Sequence, residues 1–418
     1  MRPADFLIEQ ADLIATCAGP APRVGRAQRE IGAVTTGVIA AYQGQIAYVG
    51  PADDLSNHVD VQPAAMRVNA RGCTVVPGFV DPHTHLVYAG DRRGELQRRL
   101  AGATYAEIAA AGGGIARTVA ETRTASEDDL VSSARGRLDE MLACGTTTCE
   151  VKSGYGLTVE SELQLLRVIH RLNAEHACDL VPTFLGAHDV PPEFRANPDA
   201  YVSLVIDTMI PRVADEALAE WCDVFCERGA FTPQQSEAIL RAGAAAGLKP
   251  RIHADELAAS GGSAVAARVG ARSADHLVYV DEAGADALAR ASVCATLLPS
   301  AAFYLKLGRF APARMLIDRG VPVAIATDIN PGGGFSPSMP FAMTLACFGM
   351  GLTLGEALVA ATLNAAWSLD RADSVGSLEP GKLMDAVIVQ GGLTDLIRVG
   401  ASPVRMVIKR GKAVFWAQ

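Results

Sequence analysis

The run Val80-Asp81-Pro82-His83-Thr84-His85 carries the strongest chemical signal in the chain. It ends an apolar stretch of strand type. On a strand, residues i and i+2 share a face, so both imidazoles can address one metal ion. Three more histidines end apolar runs in the same way: His188 closes TFLGAH, His253 closes PRIHA and His276 closes SADH. Each alone reads as a hydrogen-bonded structural histidine, but five of the chain's 8 histidines at strand ends are hard to explain by packing. Asp328 ends the strand VPVAIATD, where a nearly buried carboxylate needs a partner. A divalent ion held by His83, His85, His253 and Asp328 meets that need and leaves a position for water, as a catalytic centre requires. Glu256 lies three residues beyond His253, and His276 is on the next strand; either could take a proton from an attacking water. Asp255, between His253 and Glu256, should face the other way.

Something must hold these residues on one rim. Between residues 73 and 328, apolar β-type runs (CTVVPGFVD, GTTTCEV, DLVPTFLGA, CDVFCE, LKPRIHA, RSADHLV, SVCATLL, VPVAIATD) alternate with helix-length amphipathic segments. Helix starts are marked by Ser126 ahead of Glu127 to Asp129, by Thr232-Pro233 with Gln235, and by Thr353 with Glu356; the last two have capping-box spacing. Strand–helix alternation implies a parallel sheet, and eight such strands imply a closed (β/α)₈ barrel whose active face lies at the C-terminal strand ends. The chain is therefore read as α/β, with a TIM-type barrel over residues 74–374. Short Gly-bounded β runs at both ends predict a small β-sandwich domain assembled from residues 1–73 and 375–418. One connection, 86 to 125 with its AGGGIARTV, is long enough to be a lid or binding loop.

Composition narrows the function classes. Of 418 residues 50% are hydrophobic, which excludes a disordered chain. With 37 Lys and Arg against 46 Asp and Glu the net charge is -9, which argues against a nucleic-acid surface. No apolar run approaches the ~18 residues a membrane span needs, and the N-terminus lacks a signal-peptide core. Nine scattered cysteines fit reduced thiols in a cytoplasmic protein. Cys222 and Cys226 form no metal knuckle, and the GGG runs at 112–114 and 332–334 match neither phosphate-loop nor dinucleotide patterns. Those glycines read as backbone brought close to a pocket.

VVPGFVDPHTH, His-Ala-Asp-Glu, Asp-His and the closing ATD together resemble the amidohydrolase superfamily. Longer stretches (HTHLVYAGDRRGE, GATYAEIAAAGGGIARTV, CGTTTCEVKSGYGL, TFLGAHDVPPEF, ATDINPG) are similar to its imidazolonepropionase family, over about residues 70 to 370. The resemblance implies one Zn²⁺ or Fe³⁺ per subunit on His83, His85, His253 and Asp328. It implies hydrolysis of the ring amide of 4-imidazolone-5-propanoate to N-formimidoyl-L-glutamate, in L-histidine degradation. In that scheme Glu256 positions or deprotonates the water, His276 polarises or protonates, and Asp328 takes part in catalysis as well as metal binding. Arg92, Tyr105, Tyr155, His188, Glu256, Asn330, Gly332 and Gly333 would bind the substrate. A homodimer is a family-level expectation. The chemistry suits these residue types, since a propanoate tail calls for a guanidinium fork. Arg92 supplies one, with Arg93 nearly as good a candidate. Lys152 is read as structural, because the family resembled is mononuclear.

Two departures bear on the substrate. The family usually has a hydroxyl residue where this chain has Gly333, and its aromatic C-terminal stretch is replaced by GGLTDLIRVGASPVRM. Two other functions remain in view: an aminohydrolase of another nitrogen heterocycle, and an inactive barrel scaffold. Arg92 separates the first from an imidazolone hydrolase, and metal content excludes or supports the second.

Overall fold

The computed structural model describes residues 1–104, 107–108 and 111–417. Its larger unit is a sheet of eight parallel strands in chain order: β6 (Phe79–Asp81), β7 (Thr146–Lys152), β8 (Asp179–Ala187), β9 (Trp221–Cys226), β10 (Lys249–Ala254), β11 (Ser273–His276), β12 (Cys294–Leu297) and β13 (Val323–Ile325). Most of these strand residues are buried, as expected for a parallel sheet covered on both faces. Helices between the strands turn apolar stripes inward; Val159–Glu175 buries Leu163, Leu166, Ile169 and Leu172. The helix starts read from the sequence are present. Ser126 caps Glu127–Ala143, and full capping boxes open Pro233–Ala245 and Leu354–Ala360.

The barrel closes through the segments just beyond its first and last strands. Asp328 donates its backbone N–H to the His83 carbonyl (3.2 Å), and the His85 N–H donates to the Ile329 carbonyl (2.9 Å). The candidate ligands from the two ends of the barrel thus lie on one seam.

The smaller unit joins both termini in a second eight-stranded sheet. β1 (Arg2–Ala15) is central, flanked by antiparallel β2 (Ala33–Tyr42) and by parallel β4 (Val59–Asn69) and β5 (Cys73–Pro77), with β3 (Gln45–Pro51) beyond β2. From the C-terminus, β14 (Ala386–Gln390) pairs with β5, and β15 (Val404–Lys409) and β16 (Lys412–Trp416) extend the sheet. Phe6, Ile8 and Ile14 pack into one apolar cluster, and Leu7, Val38 and Ala40 into another.

CTVVPGFVD does not form one barrel strand. Cys73–Pro77 belongs to the terminal sheet, and only Phe79–Asp81 starts the barrel. The break falls at Gly78, where a Cβ would collide with the Thr147 side chain, so the backbone passes closer to β7 than any other residue would permit. Among its described residues the connection from 86 to 125 also holds the helices Arg93–Leu100 and Ile115–Thr124. No helix among the described residues is long and apolar enough to cross a membrane.

Candidate active site

Thr84 explains how the His-x-His run is fixed. Its side chain faces away from the two imidazoles; its Oγ1 donates to the Glu150 carbonyl (2.6 Å) and its N–H to the Glu150 carboxylate (3.1 Å). Lys152 returns its N–H to the Thr84 carbonyl (3.0 Å). Anchored in this way, His83 and His85 face the barrel axis beside His253 from the end of β10. The three imidazoles converge: His85 Nε2 lies 3.3 Å from His83 Nε2 and 3.3 Å from His253 Nε2. All three rings are buried.

Carboxylates behind two of the rings set their tautomers. His83 Nδ1 is 2.6 Å from Asp275 Oδ2, and His253 Nδ1 is 3.2 Å from Asp223 Oδ1. Each carboxylate draws the proton to Nδ1 and leaves an Nε2 lone pair directed at the common point. These carboxylates are themselves neutralised. Lys152, fully buried, places its ammonium 2.6 Å from Glu150, 2.7 Å from Asp223 and 3.9 Å from Asp275, and Arg251 lies 3.6 Å from Asp275. Burial pushes the Asp223 carboxyl up, but His253 and Lys152 together pull it well below the usual range. Burial pushes Lys152 down, and Asp223 and Glu150 more than reverse it. Lys152 is therefore a bound ammonium at the centre of an ionic cluster, in line with its structural reading.

These residues fit a cation. Lone pairs aimed at one another from 3.3 Å repel, and no proton arrangement satisfies all three. Asp328 Oδ1 is 3.6 Å from both His83 Nε2 and His85 Nε2, buried, and without a hydrogen-bond partner among the described residues. An unpaired buried carboxylate oxygen is costly. Burial pushes Asp328 up to about 7 against the opposing pull of His253. Buried imidazoles and a carboxylate around one point are a donor set for a transition metal.

Beside this point is a cleft of about 500 Å³, partly open to solvent. Arg92, Tyr155, His188, Glu256, Asn330 and Gly333 line it together with His85, His253, His276 and Asp328. His188 stacks on His85, with centroids 4.8 Å apart, and bonds the Gly154 carbonyl through Nδ1 (3.0 Å), leaving Nε2 for the cleft. Burial and the neighbouring His253 lower it to about 3, so it is neutral at ordinary pH. Glu256 Oε1 lies 3.5 Å from His276 Nδ1. Burial raises the Glu256 carboxyl well above its usual range, helped by Asp328, and burial holds His276 well below its own. His276 and Asp328 both have positive φ, 75° and 53°, a backbone cost that clusters at functional sites. Asp255 points away, accepting the N–H groups of Ser260, Gly261, Gly262 and Ser263.

The two arginines differ in burial, and of the two Arg92 alone lines the cleft among the described residues. Arg92 is buried and Arg93 exposed. Neither Nε nor Nη1 of Arg92 has a hydrogen-bond partner among the described residues. Gly332 packs directly on that guanidinium, where a Cβ would collide with it. Asn330 shapes the loop, accepting from Gly332 N (2.8 Å) and Gly333 N (2.6 Å). Tyr105 lies outside the described residues. The remaining histidines are elsewhere: His58 stacks on Tyr48, His170 bonds the Leu218 carbonyl, and His176 faces Asp139.

Sequence reasoning missed the apolar walls, Ile115, Phe225, Leu257 and Leu305, and the carboxylates Asp223 and Asp275. A signal existed for the second pair. Asp275 immediately precedes His276 in SADH, and Asp223 interrupts an otherwise apolar strand, where a buried acid demands a partner.

Residues 227–414 match the model of the amidohydrolase family. The chain is similar to the imidazolonepropionase of Geobacillus kaustophilus (strain HTA426), 49% identical over 99% of this chain and 98% of the relative. It is also similar to the imidazolonepropionase of Haloarcula marismortui, 46% identical over 99% and 97%. Among solved structures, a triazine hydrolase variant superposes with a TM-score of 0.76 at 17% identity, over 98% of this chain and 94% of that one. An adenosine deaminase from Xanthomonas campestris with bound zinc gives 0.70 at 20%, over 99% and 93%. These two likenesses speak for the fold. The chain belongs to the imidazolonepropionase family of amidohydrolases.

Proposed function

We propose that this chain hydrolyses 4-imidazolone-5-propanoate to N-formimidoyl-L-glutamate in L-histidine degradation, with one Zn²⁺ or Fe³⁺ per subunit. The carrying observation is that one cleft joins two unmet electrostatic demands. Three imidazole nitrogens and the Asp328 oxygen without a partner among the described residues call for a cation, while the buried Arg92 guanidinium, with Nε and Nη1 likewise unsatisfied, calls for an anion. A ring carrying a propanoate tail satisfies both.

His83, His85, His253 and Asp328 would hold the ion. When bound, such an ion makes water a nucleophile near neutral pH and polarises a carbonyl. Arg92 receives the propanoate, fixing the ring, and His188 Nε2, Tyr155 and Asn330 line the space the ring fills. Glu256 and His276 are the proton-transfer pair. The water oxygen bonds to the ring carbonyl carbon and the ring C–N bond breaks. The proton lost by the water passes through the pair to the departing nitrogen, and the carbonyl carbon becomes the glutamate α-carboxylate. Ile115, Phe225 and Leu257 keep bulk water from the ring.

The test is turnover: loss of the imidazolone absorbance with stoichiometric formimidoylglutamate, together with metal analysis of the purified protein. Zinc and iron both suit three imidazoles and a carboxylate, so metal analysis decides between them.

A further inference from the structure

Two glycine-rich runs, 112–114 and 332–334, stand out in the sequence, and one short helix ties both of them. Arg93–Leu100 carries Glu95 and Arg99, and Arg92 immediately precedes it. Positions 92, 95 and 99 are spaced i, i+3 and i+7, so all three lie on one helix face. That face is buried, although the helix is otherwise strongly polar. Glu95 Oε1 accepts the N–H of Gly114 at 2.9 Å. Arg99 donates Nη2 to the Gly332 carbonyl at 2.9 Å and Nη1 to the Tyr304 carbonyl at 2.8 Å. Gly332 is the residue against which the Arg92 guanidinium rests. The next residue of each tied run, Ile115 and Gly333, lines the cleft, as does Leu305 beside Tyr304.

We propose that Glu95 and Arg99 are positioning residues for the substrate carboxylate. Together they clamp the helix between the two glycine runs and so fix Arg92 relative to the histidine cluster. Burying an arginine fork against two carbonyls, and a carboxylate against one amide, is costly unless the geometry they hold is needed. Arg99 suits the task because its planar fork spans two carbonyls, which a lysine ammonium cannot do with the same rigidity. The glycines are required by the same arrangement. A Cβ at Gly332 would collide with Arg92, and one at Gly113 would sit 2.8 Å from Glu95 Oε1. Specificity for a carboxylated ring then depends on four tied segments and not on Arg92 alone. This inference rests on the imidazolone reading above.

Steady-state kinetics with 4-imidazolone-5-propanoate test it. Arg99→Met should raise KM at least tenfold, leave kcat within about threefold and leave the metal content unchanged. Because Arg99 acts through Arg92, the R92M/R99M double variant should have the KM of R92M. Glu95→Ala should raise KM in the same way and Glu95→Gln, which keeps an acceptor, should restore it; this pair carries the test if R99M does not fold. Wild-type KM in R99M or E95A, or losses in R92M and R99M that multiply in the double variant, would overturn the clamp. Wild-type protein without imidazolone turnover would instead overturn the substrate reading.

Discussion

Replacing Arg92 with Met separates a binding charge from a structural one. Arg92 is 5% exposed, and two of its guanidinium nitrogens have no hydrogen-bond partner among the described residues. In the free protein its charge is a liability, since burying an unpaired ion costs several kcal/mol. A methionine of similar length keeps the packing against Gly332 and removes that cost, so the melting temperature should hold or rise. In the proposed substrate complex the guanidinium would form two charge-assisted hydrogen bonds to the propanoate, worth about 1.5–3 kcal/mol each. Losing both removes roughly 3–6 kcal/mol, or about 10² to 10⁴ in kcat/KM at ~1.4 kcal/mol per decade. The assay follows the imidazolone absorbance in the metal-loaded variant, alongside thermal unfolding and metal content. A kcat/KM within tenfold of wild type, or a melting temperature more than about 5 °C lower, would refute the assignment. The first result would show that the carboxylate is held elsewhere, and the second that Arg92 supports the fold.

Asp275→Asn keeps the shape behind His83 but no longer holds its proton on Nδ1, and should weaken metal affinity about 10- to 100-fold in chelator competition. Metal binding should release a proton below about pH 7, because the Asp328 carboxyl sits at about 7 in the metal-free protein and must ionise to bind; affinity should fall with pH, read by calorimetry in buffers of different ionisation enthalpy. The same raised value means that the metal-free fold binds an extra proton between about pH 4 and 7, so this group's stabilisation is lost as pH rises through 7. Gly333→Ser should fold with an unchanged melting temperature, since a Cβ there meets Leu305 at an ordinary 3.5 Å; Gly334→Ala, whose Cβ would collide with the Asp328 carbonyl, should lower both melting temperature and metal content.

The convergence of the site's side chains was legible because they obey strand geometry. His83 and His85 are two apart, and His253, His276 and Asp328 each end an apolar run, so a barrel rim gathers them without knowledge of any contact. Arg92 could not be told from Arg93 by spacing, because that choice is made when a helix begins at Arg93 and turns one side chain inward. The partners Asp223 and Asp275 were illegible as partners for another reason. Asp223 meets a histidine on the neighbouring strand, 30 positions away, and Asp275 meets one 192 positions away that only the barrel brings near. The split of CTVVPGFVD was hidden because both halves are equally apolar, and only the close approach at Gly78 divides them. β4 escaped notice for the opposite reason. Its apolar residues are interrupted by Asp60, Gln62, Pro63 and Arg67, which suits a mostly exposed strand paired to β1 along one side only.

The most direct measurement incubates the purified, metal-analysed protein with 4-imidazolone-5-propanoate and quantifies N-formimidoyl-L-glutamate against the imidazolone consumed. The expected result is one product per substrate, abolished by chelation and restored by zinc or iron. A folded, metal-replete protein that leaves the imidazolone unchanged would contradict the proposed activity.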